Sequence, residues 1–427
     1  MGHLQRGSGL WLLALVGALL AGAPGAAAAA PGRRDATPVQ QDATPVQQDA
    51  TPTSAADFFQ RAVGEADSGD FAAALDDFDQ ALGLNPDYFD AHVARGEVRL
   101  LGGDAAGARD DYLAATRIEP TNPVGFNELG LARLALGDTQ GALDAYAEAL
   151  RLDPNNARTY YNRARALNVA GDVQGALDDY TRALELNPDF APAYLDRGVD
   201  RSRLGDVQGA IDDYTRAIQL NPGYPLAYLN RARARGRLGD LEGALADFTQ
   251  ALQGRPSADA YYERGLTRAR LEDYEGAVVD YTQALRMTPD VGAIYNSRGV
   301  ARALLGDDAG AIDDYAQAAR LSPDDPTSYY NRGLAHGRQG DYAAAVADYT
   351  RALRRNPDHA GATYSRGRAR ARLGDTAGAL DDLRRAAALY GEQGNSAGAT
   401  RAENAVAALE KAPADAPSTL PAAPEDR

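Results

Sequence analysis

The chain has 427 residues, a formal net charge of −16 at pH 7 and no cysteine. Without cysteine there is no disulfide framework, thiolate metal site or cysteine nucleophile. An acidic chain also lacks the basic contacts from which non-specific nucleic-acid affinity arises, so no nucleic-acid partner is expected. Lys411 is the only lysine, and His3, His92, His336 and His359 are far apart in sequence. Neither a metal site nor a cofactor is expected.

Residues 1–30 read as a secretory signal. Arg6 supplies the positive start, Leu10 to Leu20 the apolar stretch, and a run of small residues offers cleavage positions near Ala28 to Ala30. The alternative is an uncleaved N-terminal anchor, because Gly9 to Ala30 carries no charge and could reach across a bilayer. Only then would the chain meet a membrane. The expected location is therefore outside the cytoplasm: periplasmic, cell-surface or secreted. Residues 31–54 form a Pro-rich linker built on the heptapeptide DATPVQQ, whose prolines at 38, 45 and 52 block helix and leave no apolar face. The linker is expected to be disordered, as is the Ala/Pro-rich tail, residues 412–427.

Between these ends, prolines at 86, 120, 154, 188, 222, 256, 289, 323 and 357 recur every 34 residues, with one step of 33 after Pro256. Each closes a copy of one pattern, and with Pro as position 32 ten copies fill residues 55–391, starting at Ala55, Phe89, Pro123, Ala157, Ala191, Pro225, Ala258, Gly292, Pro326 and Ala360. The pattern predicts a first helix over positions 2–14, a Gly-Asp break at 15 and 16, and a second helix to position 30. Glycine at 15 can take the left-handed conformation that ends a helix. The Asp after it can cap the next helix by accepting its orphan N–H groups. The seventh copy has Glu272 where glycine is expected, at a cost of about 1 kcal/mol. In the last copy Leu383 replaces the aromatic at 24 and Gly391 the proline at 32. Residues 392–411 then read as a capping helix, of the kind an exposed terminal repeat requires.

Small residues stand at position 8 (Gly96, Gly130, Gly265, Gly299), Ala at 20 and 27 (Ala74, Ala108, Ala81, Ala217), and an aromatic at 24 (Phe78, Tyr112, Tyr146, Tyr180, Tyr281). With the 34-residue period, this pattern resembles the tetratricopeptide repeat family. Position 4 departs from the family in carrying mostly Tyr or Phe instead of Trp. The resemblance implies an all-α fold, a right-handed α-solenoid superhelix of antiparallel helical hairpins, and a protein-binding role.

Two further positions also stand out. Nine copies carry Arg at 7, where the family usually has an apolar residue, and nine carry Asp at 23; the third copy lacks both, with Leu129 and Ala145. The shared exception predicts an ion pair between the two helices of each copy, such as Arg163–Asp179 or Arg264–Asp280; the alternative is solvent-facing charge. Arg at 11 and Asp at 22 vary independently, and no pair is expected there.

The resemblance also places positions 5, 9 and 13 of the first helices toward a partner. Position 5 supplies Tyr161, Tyr262, Tyr330 and Tyr364. Position 9 supplies Arg165, Arg233 and Arg368, and position 13 supplies Arg203, Arg237, Arg270, Arg338 and Arg372. Tyr and Arg are enriched at interface hot spots. The strip is therefore a candidate groove for a protein or peptide with acidic or carboxylate groups. The alternative is that these Arg residues pair with neighbouring Asp. The first three copies offer a more apolar or acidic stretch, with Val63, Glu97 and Leu131.

Consecutive Asp-Asp steps such as Asp212-Asp213 point about 100° apart on a helix and do not converge, so they make no acid–base pair. The expected function is a non-catalytic, monomeric interaction scaffold. Two alternatives are a structural spacer or assembly module acting by self-association, and a regulatory subunit of an envelope complex.

Overall fold

A computed structural model of the chain describes residues 53–411, and over them the regular structure is α-helical throughout. The signal segment, the linker as far as residue 52 and the tail lie outside the described residues. The helices fall into two units, divided between Leu204 and Gly205. The first unit holds α1 (Ala55–Ser68), α2 (Phe71–Leu84), α3 (Phe89–Leu101), α4 (Ala105–Ile118), α5 (Pro123–Ala135), α6 (Thr139–Leu152), α7 (Ala157–Ala170), α8 (Val173–Leu186) and α9 (Ala191–Arg203). The second begins with α10 (Val207–Leu220), α11 (Pro225–Leu238), α12 (Leu241–Gly254), α13 (Ala258–Arg270), α14 (Tyr274–Met287) and α15 (Gly292–Leu304). It continues through α16 (Asp308–Leu321), α17 (Pro326–Arg338), α18 (Tyr342–Arg355), α19 (Ala360–Arg372), α20 (Thr376–Glu392) and α21 (Ser396–Lys411). Within each unit, consecutive helices pack as hairpins and each hairpin packs on the next, as expected of an α-solenoid.

The local causes are those the sequence carries. The Asp at position 16 caps every second helix: Asp104 Oδ1 accepts from the Gly107 amide at 2.9 Å, and Asp240 Oδ1 from Gly243 at 3.0 Å. The glycine before it takes a positive φ, as at Gly171 and Gly239, both 86°. Glu272 follows the same path with a φ of 61° and is the only non-glycine with positive φ among the described residues. The predicted strain is therefore present.

The hairpin core is small and repetitive. Alanines at positions 20 and 27 are buried in every copy, and the aromatic at 24 fills the space beside them. The ring lies so close to position 8 that a Cβ added at Gly96 would come within 2.6 Å of Tyr112 Cε1. At the C-terminal end α21 lays Ala402, Ala405 and Leu409 over Leu383 and Tyr390, covering the apolar face of α20. Among the described residues, no helix is long and apolar enough to cross a membrane.

Candidate interaction surface

Arg at position 7 turns onto the second helix of its own copy, with Arg61 of the first copy still exposed. Arg231 reaches Asp247 with two parallel hydrogen bonds of 2.8 and 2.7 Å, and Arg264 reaches Asp280 with bonds of 2.9 and 2.7 Å. The equivalent pairs Arg61–Asp77, Arg95–Asp111, Arg163–Asp179, Arg298–Asp314, Arg332–Asp348 and Arg366–Asp382 are made as well. The predicted bridge between the two helices of a copy is thus present, and its carboxylates are buried. Burial pushes the Asp111 carboxyl up, but bonds from His92 and Arg95 and the charge of Arg99 outweigh it and hold it below the usual range.

The same guanidinium makes two further contacts. It lies over the aromatic ring at position 4, with Arg264 Cζ 5.7 Å from the Tyr261 centroid and Arg298 Cζ 5.6 Å from that of Tyr295. It also donates to a Thr of the preceding copy: Arg231 to Thr215 at 3.0 Å, Arg298 to Thr282 at 3.1 Å. One side chain thereby ties two helices of its own copy to the copy before. These contacts show what Tyr at position 4 does in place of the family's Trp.

Arg at position 11, for which no pair was expected, is also engaged. Arg99, Arg235, Arg268, Arg302 and Arg370 each donate to the Asp at 23 of their own copy at 2.8–2.9 Å. The partner is the Asp at 23, not the Asp at 22. Four residues along a helix return to the same face, so Arg at 7 and Arg at 11 share one carboxylate.

The predicted Tyr/Arg strip divides by position. The tyrosines at 5 lie against the aromatic at 24 of their own copy in three cases, Tyr161 on Tyr180 and Tyr262 on Tyr281 at 5.8 Å and Tyr330 on Tyr349 at 6.0 Å; in the last copy, where Leu383 stands at 24, buried Tyr364 faces Tyr390 of position 31 at 6.4 Å. Tyr161 also donates to Asp196 at 2.9 Å. At position 9, Arg165 and Arg368 lie over Tyr161 and Tyr364, and Arg233 bonds Glu263 at 2.8 Å and also pairs with Asp259, both in the next copy. At position 13, Arg203, Arg237, Arg270 and Arg372 are exposed, whereas Arg338 is held by Asp308 at 2.8 Å. Arg203 reaches Asp200 at 3.3 Å, and Arg270 the Gly236 carbonyl at the same distance.

A second cluster was only partly legible in the sequence. Position 9 of the second copy is Glu97, and position 6 of the third is Glu128, which is buried. Burial first, and then the Glu128 charge, push the Glu97 carboxyl up to about 8, with Arg158 pulling the other way. Burial raises Glu128 too. Glu128 accepts from Asn127 Nδ2 at 2.9 Å, and Asn127 in turn from Asn162 at 3.1 Å. The hydroxyls of Tyr112 and Tyr146, within the field of Glu128, are buried without a hydrogen-bond partner. The legible signal was a like-charge pair at positions that hold Arg233 and Glu263 elsewhere.

Among the described residues no group of His, Cys, Asp and Glu could hold a metal ion. A pocket lined by Thr350, Leu353, Arg354, Pro357, Thr363, Arg366 and Arg385 encloses about 180 Å³, below the roughly 300 Å³ of ordinary small-molecule sites.

A tetratricopeptide repeat family model matches residues 59–123, 127–191, 195–260, 229–282 and 330–395, and a second TPR model matches 301–340. Among solved structures, YrrB, described as a TPR protein with an unusual peptide-binding site, is 22% identical over 43% of this chain and 95% of its own, with a TM-score of 0.41. MamA is 28% identical over 37% of this chain and 93% of its own, at 0.35. Yeast Tom70 is 16% identical over 82% of this chain and 88% of its own, at 0.36. No curated protein matches the sequence. With the family model matched over more than half of its residues, the chain belongs to the tetratricopeptide repeat family.

Proposed function

We propose that this chain is an exported, non-catalytic scaffold whose first helices hold peptide or protein partners bearing acidic groups. The carrying observation is that Arg237 and Arg270, at position 13 of first helices in the second unit, are exposed, on copies whose buried carboxylates at position 23 are already bonded by Arg at 7 and 11. Exposed Arg has the chemistry of an interface hot spot. The apolar stretch at residues 10–20 supports export.

The test is fluorescence anisotropy of the full chain with a labelled, extended Asp/Glu-rich peptide. The double variant Arg237→Ala/Arg270→Ala should weaken binding at least about tenfold, the order expected for losing one or two hot-spot residues. Unchanged affinity would remove the groove. Concentration-dependent oligomers in light scattering, without peptide binding, would favour the spacer or assembly reading instead.

A further inference from the structure

Nine of the ten copies carry a ring at position 4: Phe58, His92, Phe126, and then a tyrosine in each copy from Tyr160 to Tyr329. The tenth carries Thr363. In seven copies the ring lies on the guanidinium at position 7, with the Arg Cζ 5.5–5.7 Å from its centroid. The tenth copy keeps the guanidinium and lacks the ring. Arg366 is fixed in the common place, donating to Asp382 at 2.8 and 2.7 Å and to Thr350 of the copy before at 3.3 Å. Beside it lies the cavity of about 180 Å³, bounded by Thr363 and Arg366 of α19 and by Thr350, Leu353 and Pro357 of the ninth copy. None of the residues that line it is aromatic, and the neighbouring Tyr364 turns to Tyr390 instead.

We propose that this cavity binds an aromatic side chain, a tyrosine, of a partner polypeptide, in the place that the chain's own ring takes in the other copies. The volume suits one ring: a cavity of about 150 Å³ accepts benzene. The guanidinium of Arg366 is already paired with a carboxylate, so a ring laid on its flat face gains the cation–π attraction and leaves no charge unbalanced. An aliphatic side chain would fill the space without that attraction. Leu353 and Pro357 supply apolar contact for the ring. The mouth is marked by two exposed guanidiniums that also line the cavity, Arg354 and Arg385. Arg385 spends one donor on the Pro357 carbonyl at 3.0 Å, and a guanidinium has five. A tyrosine hydroxyl can accept from such a donor at the mouth, whereas phenylalanine offers no acceptor. The linker and the tail contain no aromatic residue, so neither of them supplies the ring.

This site uses none of the exposed arginines at position 13, and its probe is therefore uncharged. The full chain is titrated with an alanine-based pentapeptide carrying tyrosine at its centre and with its all-alanine counterpart, and backbone amide shifts are followed by NMR. The tyrosine peptide should give saturable shifts at Thr350, Thr363 and Arg366 and bind at least about tenfold tighter than the alanine peptide, as burial of one ring implies. Thr363→Tyr, which restores the ring of the other copies, should raise the thermal midpoint and abolish this binding, whereas Thr363→Ser should leave binding in place. Equal binding of the two peptides, or tyrosine-dependent shifts that survive Thr363→Tyr, would overturn the site. A lowered midpoint in Thr363→Tyr would overturn it too, because the cavity would then not match a ring. Self-association of the chain that Thr363→Tyr abolishes would assign the ring to a second copy and overturn the separate partner. Arg237→Ala/Arg270→Ala should leave tyrosine binding unchanged, so failure of this site and failure of the acidic-peptide groove are read apart.

Discussion

In the seventh copy, Arg264 and Arg268 both grip Asp280, and Glu263 is gripped across the junction by Arg233 of the copy before. In the third copy, Leu129 and Ala145 fill the places of the first pair with apolar atoms, and Glu128 meets a second carboxylate across the junction instead of a guanidinium. The two copies share one backbone pattern and one alanine core. They differ in whether buried charge is neutralised by the chain itself. The buried acids of the seventh are matched by guanidiniums of the chain, whereas burial raises Glu128 of the third, which costs stability as pH rises.

The largest expected effect breaks the closed side. Asp280→Ala leaves Arg264 and Arg268, both largely buried, without their shared carboxylate, and should lower stability by about 3 kcal/mol in urea unfolding. The third copy shows how to recover it. Adding Arg264→Leu, which copies Leu129 and Ala145 into the seventh copy, should restore most of the loss, because an apolar pair of suitable volume replaces a buried ion pair at little net cost. If the double variant stays as unstable as the single one, the pairs supply more than register.

The same substitution at position 6 should act with opposite signs in the two copies. Both Glu97 and Glu128 have raised folded-state pKa values, with burial the main cause. A group raised on folding binds more protons in the folded state. Its stabilising effect is full below the ordinary carboxylate range and is lost as pH rises toward about 8, the value for Glu97. Glu128→Gln removes the repulsion. At about pH 8.5 it should therefore stabilise the chain by at least about 1 kcal/mol, with little difference in acid. Glu263→Gln removes the partner of Arg233 and should cost about 0.5 kcal/mol, a small value because that pair is part-exposed. Thermal unfolding of both variants across pH checks the contrast; a loss in both would mean that the Arg158 charge and the Asn127 bond outweigh the cost of burying Glu128.

What was legible in the sequence, and what was not, follows from the distance over which each relation acts. Helix ends, the Asp caps and the alanine core act within one copy and repeat ten times, so the period exposes them. The Arg–Asp bridge was visible because its single exception removes both partners together, at Leu129 and Ala145. The bond from Arg at 11 is hidden in the sequence because it converges on a carboxylate that Arg at 7 already holds, and a shared acceptor leaves no one-to-one pattern of Arg and Asp. The junction of Glu97 with Glu128 joins different positions of neighbouring copies, so aligning the copies in columns conceals it. Its chemistry also depends on how deeply Glu128 is buried, which composition does not reveal. The tyrosines at position 5 were placed on the right helices, but their packing against position 24 came only from the helix–helix approach.

The smallest effect concerns the turns of the same two copies. Gly137 of the third copy has a φ of 80°, and Glu272 occupies the equivalent place in the seventh with a φ of 61°. A side chain in the left-handed region crowds the following carbonyl, whereas glycine does not. Glu272 is exposed, so its replacement disturbs no core contact. Glu272→Gly should relieve the strain but also loosen the unfolded chain, leaving a net gain of about 0.5 kcal/mol. The reciprocal change, Gly137→Ala, should cost about 1 kcal/mol because both effects then differ only in their sizes and strain dominates. Amide hydrogen exchange at residues 271–273 and 136–138 would read each change where it occurs. Slower exchange in the first variant and faster exchange in the second would show that the seventh copy combines the better-matched charges with the weaker turn. Unchanged exchange in Glu272→Gly would mean that the Asp273 cap, bonded to the Gly276 amide at 2.9 Å, holds that turn whatever residue precedes it.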